Sequence, residues 1–474
     1  MIAVLMRKEH DGIGEIEVED GWLYGAHTAR ARANFPLSPD LTHSSLFRAL
    51  VEVKLAACRA NAQAGDLDAV RFSAIESACS WLLSEDRLGS PPVHPLQGGA
   101  GTSTNMAANE RVAVLANKIL GEKASEFPVD PLDHVNMSQS TNDAVPTAAR
   151  IALLRGLVHA EAGAKILQSA LLAKEREYAA VMKTGRTELQ DAVPLTLGQE
   201  FGAWAEAVAR LRWRLEKARD WIREVNLGGT AVGTGVNASR DYSRRVVAIL
   251  AEVAELPICR ARNLVDATAN ADSLVEVSGI LKTGAVAVKK ICSDLRLLAS
   301  GPHCGLGELR LAPVQAGSSI MPGKVNPVLC ESVEQVCIQV MAYDVAISMA
   351  VSESQLQLPQ FMPLVIHDLL SGCEMFGNAL RILAGCVDDL EARRDVIGMR
   401  MDSGVGLATV LARHLGHQAV EGILGECART GNELVDVLRE RGMLTESLMA
   451  ELMDPVAFSA AGASAPNGGP DHAR

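Results

Sequence analysis

Apolar residues recur at helical spacing along most of this chain, in long runs that proline does not interrupt. Thr147 to Met182 contains no proline and is rich in Ala, Leu, Glu and Lys. As a helix it would reach about 50 Å at 1.5 Å per residue. Comparable stretches run from Leu197 to Val225, Asp241 to Leu256, Ala267 to Ser300, Pro327 to Ser354 and Met362 to Asp389. Long successive helices with short connectors predict a helical bundle. Helices this long rarely hide all their apolar surface inside one chain. The pattern therefore also predicts an oligomer whose bundle is shared between copies.

The flanking regions differ in texture. Up to about Asn142, short helices mix with glycine-rich turns; helices are expected over Ser45–Ala64 and Val70–Ser84. Breaks are expected at Gly89–Pro92 and at the polar run Gly98–Asn105. A smaller helical module follows from Met401 to Phe458. The last residues, rich in Ala, Gly, Pro and Ser, are expected to be a disordered tail. The expected division is 1–142, 143–396, 397–458 and a tail at 459–474. No solenoid repeat is present.

Composition narrows the class. A chain of 474 residues exceeds one ordinary core, and 48% hydrophobic with only 4% aromatic residues suits close helix contact through Ala, Leu and Val. The net charge of −12 argues against a nucleic-acid partner but not against a small anionic substrate in a local cationic pocket. Ten cysteines without a CxxC pair read as reduced, mostly buried thiols of a cytoplasmic protein. Charges at Arg7, Lys8, Glu9 and Asp11 come too early for a secretory signal. No membrane partner is expected, because no uncharged apolar stretch reads as long enough to cross a bilayer.

Four polar segments interrupt the helical texture. Gly317-Ser318-Ser319-Ile320-Met321-Pro322-Gly323-Lys324-Val325-Asn326-Pro327 superficially suggests a phosphate loop. Five residues separate Gly317 from Gly323 where that loop has four, and Val325 replaces the hydroxyl after the lysine, so nucleotide binding is rejected. The others are His134–Asp143, Gly101–Asn105 and Gly185–Asp191. Singly, each reads most simply as caps and turns. Together they offer many neutral hydrogen-bond donors and one lysine, which suits carboxylate recognition without metal or nucleotide.

Here a resemblance becomes specific. SSIMPGKVNP is similar to the signature loop of the aspartase/fumarase superfamily. GEIEV, YGAHTARARANFPLS, GAGTSTNM, HVNMSQSTNDAVPTAARIA, GRTELQDAVPLTLGQEF, LGGTAVGTGVNA and LGHQAVEGILGECARTG resemble that family's blocks in the same order. The resemblance spans about Arg7 to Phe458. It implies a mainly α, three-domain fold whose central long-helix bundle is shared in a homotetramer, with active sites drawn from several subunits and no cofactor. The implied reaction is anti elimination across a succinate Cα–Cβ bond through an aci-carboxylate. By the same resemblance Ser318 is the base, and Lys324 and Asn326 bind a substrate carboxylate. Thr102, Ser140, Thr141 and Asn142 bond the carboxylates and the amine, and Thr187 holds the carboxylate beside the reacting carbon. Ser319 and Gln139 are weaker members.

GAGTSTNM, HVNMSQSTNDA, Gln315-Ala316 and Ser354–Leu358 lean toward the aspartase branch, hence toward release of ammonia from L-aspartate as fumarate. One position departs from the pattern. Glu188 stands where fumarases carry His and aspartases His or Gln. An ionised glutamate about 4 Å from a carboxylate costs on the order of 4 kcal/mol at an effective dielectric near 20. Either Glu188 shares a proton with the residue matching the family's neighbouring glutamate, Glu331, or the leaving amine is larger or more cationic, as in an N-substituted aspartate or a hydrazino-succinate. An ordinary surface pair of Glu188 with Arg186 is the plain alternative. Fumarate hydration and an inactive structural homologue are the remaining readings. His414 and His417, three apart, could face one way on a helix but lack a third ligand, so no metal is expected.

Overall fold

The computed structural model describes residues 5–84, 88–402 and 405–443, together with 445, 446, 448 and 454. Along the chain, strands β1 (Met6–Asp11) and β2 (Gly14–Glu19) precede helices α1 (Ala26–Asn34), α2 (Ser44–Ala64), α3 (Ala69–Leu83) and α4 (Thr102–Leu120). A π-helical turn at Pro131–Val135 leads into α5 (Thr141–Glu177), then β3 (Met182–Thr187), β4 (Gln190–Thr196) and α6 (Leu197–Ile222). Next come β5 (Glu224–Val225), α7 (Arg240–Ala254), β6 (Cys259–Arg260), α8 (Leu264–Ala269), α9 (Asp272–Leu298) and β7 (Leu309–Arg310). The remainder is α10 (Val328–Ser352), α11 (Met362–Asp388), β8 (Glu391–Ala392), α12 (Arg394–Asp402), α13 (Val405–Leu415), α14 (His417–Thr430) and α15 (Leu434–Glu440). The chain is mainly α, as expected. Among the described residues its strands form only two-stranded pairs.

The described residues fall into two compact units. One is drawn from Met1–Ala162, Trp213–Ala285 and Cys337–Gly377, the other from Gly163–Arg212, Val286–Val336 and Asn378–Arg474. In the first, α2 packs on α3 and α7. Its core includes Phe47, Leu50, Val51, Ile75, Leu82, Tyr242 and Leu250. In the second, α12 and α13 cover the β3–β4 hairpin, and Met182, Met401, Leu407, Leu411, Ile423 and Leu438 share one cluster.

Several expectations need correction. The expected helix over Ser45–Ala64 is α2, but the N-terminal region also holds the 19-residue α4 and the antiparallel hairpin β1–β2. Thr102–Asn105 is the first turn of α4 rather than loop. Gly185–Asp191 belongs to the β3–β4 hairpin, with a register shift between Thr184 and Arg186. Helix α5 begins at Thr141, so Pro146 lies inside it. Proline cannot donate to the carbonyl four residues back, and that Asn142 carbonyl instead accepts from Asn226 Nδ2 at 2.9 Å. His414 lies in the last turn of α13 and His417 opens α14, so the two do not share a helix.

Helix α10 is long and apolar enough, by length and composition, to cross a bilayer, although it is not uncharged, since it carries Glu331, Glu334 and Asp344. It carries Asp344, which pairs with Lys282 Nζ at 2.6 Å and accepts from Ser278, and its Ile338, Ala342, Val345 and Met349 form an exposed stripe at heptad-like spacing. Of the cysteines, seven are buried, Cys427 is intermediate, and Cys259 and Cys304 are exposed; all are free thiols. The expected tail at 459–474, and Phe458 before it, lie outside the described residues.

Candidate functional site

The candidate residues divide between the two units. Thr102, Gln139, Ser140, Thr141 and Asn142 belong to the first, and Thr187, Glu188, Ser318, Ser319, Lys324, Asn326 and Glu331 to the second.

In the first unit the polar segment Asn136–Asp143 is built around two buried charges that the sequence reading passed over. Lys54 of α2 is fully buried, and its ammonium donates to Asn105 Oδ1 at 2.7 Å, Asn136 Oδ1 at 3.1 Å and Gln139 Oε1 at 2.9 Å. Burial pushes its pKa down to about 7, against the pull of Asp143 and Cys79. Asp143 is also fully buried and accepts from the main-chain N–H groups of Ser140, Gly228 and Thr230. Burial pushes it up to about 6, with those three donors and Lys54 opposing.

These charges hold the loop and leave specific groups for other work. Gln139 gives its amide N–H groups to Val135 O and Met137 O, so it acts as a brace. Ser140 caps α5: its Oγ accepts from Asn142 N at 3.2 Å while Asp143 Oδ1 accepts from Ser140 N, a reciprocal cap. Asn142 donates to Ala231 O at 2.8 Å, and Thr141 Oγ1 accepts from Asn105 Nδ2 at 3.4 Å. Thr102 Oγ1 donates to Gly99 O at 2.6 Å. The capping interpretation thus describes Ser140, while Thr141 and Asn142 display hydroxyl and amide at the start of a helix, where backbone N–H groups favour anions.

In the second unit the signature segment forms a closed, exposed loop. Gly317 N donates to Lys324 O at 2.9 Å, and Asn326 Nδ2 donates to Gly317 O at 2.8 Å. A Cβ at Gly317 would come within 2.5 Å of the Lys324 carbonyl oxygen, so only glycine closes the loop this way. Ser318 Oγ accepts from the main-chain N–H groups of Ile320 at 3.2 Å and Met321 at 3.1 Å. Two amides aimed at one hydroxyl oxygen stabilise negative charge there. Ser319 and Lys324 are exposed. Asn326 therefore spends one amide N–H on the loop itself and keeps the other.

Thr187 ends β3, and Glu188 and Leu189 make the hairpin turn with φ of 53° and 64°. Two successive non-glycine residues in the left-handed region are strained, as is common where a side chain is held for a purpose. The base of this hairpin is clamped by Glu308, which is 2% exposed. Its carboxylate takes Arg186 Nη2 at 2.5 Å and Arg400 Nη1 at 3.2 Å, and Lys183 Nζ lies 3.0 Å away as an ion pair. Burial raises the Glu308 pKa, but Arg186 and Lys183 outweigh it and hold the carboxyl below its usual range. Arg186 is therefore committed to Glu308, with Asp191 at 4.0 Å, and does not pair with Glu188. Glu331, on α10, lies 3.7 Å from Arg296. Among the described residues Glu188 makes no ion pair within its own chain.

Removing the clamp carboxylate would take from Arg186, Arg400 and Lys183 the buried partner they share, although Lys183 keeps Glu200 at 2.7 Å and Arg186 keeps Asp191 at 4.0 Å. Glu308→Ala is expected to destabilise the fold by about 3–5 kcal/mol, and to raise the KM for any ligand of Thr187, measured by chemical denaturation and steady-state kinetics.

Over nearly its whole length the chain is similar to known lyases. The profile of a family described as Lyase matches residues 14–342. A protein named aspartate ammonia-lyase from Helicobacter pylori is 41% identical over 454 residues, covering 95% of this chain and 97% of its own. One of the same name from Bacillus subtilis is 40% identical over 451 residues, covering 95% of each. Among solved structures, the fumarate lyase:delta crystallin of Brucella melitensis bound to cobalt superposes with a TM-score of 0.90 at 41% identity, covering 96% of this chain and 100% of that one. A class II fumarase from Schistosoma mansoni gives 0.90 at 32% identity, covering 96% and 99%.

Proposed function

This chain belongs to the aspartase/fumarase superfamily of lyases, and on that premise we propose that it is a carbon–nitrogen lyase that eliminates ammonia from L-aspartate to give fumarate. The observation that carries the chemistry is the pair of N–H groups on Ser318 Oγ. A Cβ proton beside a carboxylate is very weakly acidic, so the base must be an activated oxygen. The two amides lower the cost of an alkoxide at position 318, and the Lys324 charge on the same loop adds to that. Ser318 takes the Cβ proton, the aci-carboxylate forms, and the Cα amine leaves from the opposite face. Lys324 and Asn326, with Ser319, bind one carboxylate. Thr102, Thr141, Asn142 and Ser140 bind the second carboxylate and the amine, Thr187 stands beside the reacting carbon, and Gln139 and Glu331 support them.

The enzyme works as a homotetramer, each site completed by loops of neighbouring copies. The exposed stripe Ile338–Ala342–Val345–Met349 supports this, because a soluble chain covers such a seam with another helix. It is a cytoplasmic protein.

Among the described residues no cation of its own chain neutralises Glu188, so its carboxylate opposes a plain diacid and favours an amine rich in donors. Fumarate incubated with ammonium, hydroxylamine, hydrazine and methylamine, followed by loss of fumarate absorbance, tests the reading. Consumption fastest with ammonium supports aspartate as the substrate. Preference for a bulkier or more basic amine assigns an N-substituted aspartate, and consumption without any amine assigns hydration. Glu188→Gln is expected to lower the KM for the diacid roughly 10-fold after solvent screening of the repulsion. An unchanged KM and pH profile removes Glu188 from the site.

A further inference from the structure

Arg150 of α5 is 6% exposed, and no carboxylate among the described residues comes within ion-pair distance of it. Among the described residues its one hydrogen bond is a long one, from Nη2 to Ser273 Oγ at 3.4 Å, and its buried Nε has no partner there. Asp272 acts on it only at longer range, and Asp272 is itself exposed to solvent. A guanidinium does not lose its proton in a protein. A buried, unpaired one costs several kcal/mol unless an anion or water answers it.

The same guanidinium lines a small cavity. Asn142, Pro146 and Arg150 stand at successive four-residue steps of α5 and share one wall, and Thr268, Asn270 and Met362 are among the residues opposite. Thr268 is committed, since it donates to Leu264 O and accepts from Asn226 Nδ2. Asn142 spends one amide N–H on Ala231 O and retains the other. The free space is about that of a single water molecule. That size admits a halide or the head of a carboxylate and excludes sulfate or phosphate.

We propose that this cavity is a binding site for one small monovalent anion, held by Arg150 and the free amide N–H of Asn142. With a free ion the proposal does not depend on the lyase reading; with a diacid's carboxylate it rests on that reading. The anion is either a free ion or the carboxylate end of a diacid, because Asn142 borders both this cavity and the candidate substrate loop.

Thermal melting of the full-length protein in sodium chloride, sodium formate and sodium gluconate at equal ionic strength tests it. Gluconate is too large for the space. Chloride and formate are expected to raise the midpoint by about 3 °C over gluconate. Arg150→Met is expected to abolish that increment, and Arg150→Lys, which keeps the charge, to retain a smaller one. Crystals grown in sodium bromide are expected to show an anomalous peak in contact with the Arg150 guanidinium, a readout that needs no variant to fold. A wild-type midpoint indifferent to the anion, an increment that survives Arg150→Met, or a cavity without bromide each overturns the proposal. Repeating the melts with saturating succinate separates the two sources. Loss of the chloride increment assigns the cavity to the diacid's carboxylate, and its persistence assigns it to a free ion.

Discussion

Ser318→Ala is expected to reduce kcat for fumarate formation by about 10³–10⁴-fold while leaving the melting temperature within a degree or so of the wild type. The two halves of that expectation come from different parts of the geometry. The loop is closed by Gly317 N to Lys324 O and by Asn326 Nδ2 to Gly317 O, and neither bond involves the serine side chain. Losing Oγ releases the N–H groups of Ile320 and Met321, but both residues are exposed, so water replaces the lost acceptor at little cost. The chemical consequence has no such substitute. Without Oγ, the two amides stabilise no alkoxide, and the remaining activity comes from the groups that position the diacid. A Ser319→Ala control, at an exposed neighbour whose hydroxyl receives no such pair of amides, is expected to lose only about 10-fold, as for a single hydrogen bond to a charged group. Stopped-assay kinetics on both variants decide the matter. If Ser318→Ala behaves like Ser319→Ala, position 318 does not carry the base.

Why the sequence exposed some of this and hid the rest follows from where each signal comes from. The long helices were legible because proline-free periodicity extends over many turns and each turn repeats the same message; observed ends fall within a few residues of those expected, as for Met362–Asp388 and Val328–Ser352. Thr102–Asn105 was misread because the apolar rhythm of α4 starts only at Met106. The first turn is polar since it faces the Lys54 network, where a helix start resembles a loop in composition. The hairpin carrying Thr187 was missed for a related reason. Its strands, MKTGRT and QDAVPLT, contain Gly185 and Pro194 and lack clean alternation, and what makes them strands is packing by α12 and α13. The signature loop was recognisable from its residues, yet no composition rule says that Asn326 holds the loop or that Arg186 is taken by Glu308. Those assignments are long-range, across 9 and 122 positions.

Lys54 was the most consequential omission, and a usable signal for it exists. Leu46 to Cys58 is buried on nearly every side, with Phe47, Leu50, Val51, Val53, Leu55, Ala56 and Ala57 all enclosed. A lysine within a helix segment enclosed on nearly every face has no route to solvent. Lys54→Met preserves the stem and removes the charge, leaving the oxygens of Asn105 and Gln139 facing a methyl group, while Asn136 Oδ1 keeps the amides of Asn105 and Asn109. Each unsatisfied buried acceptor costs about 1–3 kcal/mol, partly offset by no longer burying an ammonium, so a net loss of about 3 kcal/mol is expected near neutral pH. Because these oxygens fix Asn136–Asn142, kcat/KM is also expected to fall, by about 100-fold. The sign of the pH dependence distinguishes this from generic core damage. The Lys54 pKa falls from 10.5 to about 7 on folding, so between those values the unfolded chain binds more protons, and wild-type stability gains a rising contribution as pH increases from 7 to 10.5. Asp143 works oppositely: its pKa rises from 3.8 to about 6, so its contribution falls as pH climbs through that lower window. Because the two charges face each other, the macroscopic transitions belong to the pair. Urea unfolding across pH 4–10 is expected to show, in Lys54→Met, loss of the alkaline rise and a further upward displacement of the Asp143 transition, since its compensating cation is gone. A variant that is uniformly less stable at every pH, with the wild-type slope on the alkaline side intact, assigns the alkaline rise to some other group and leaves Lys54 as packing alone.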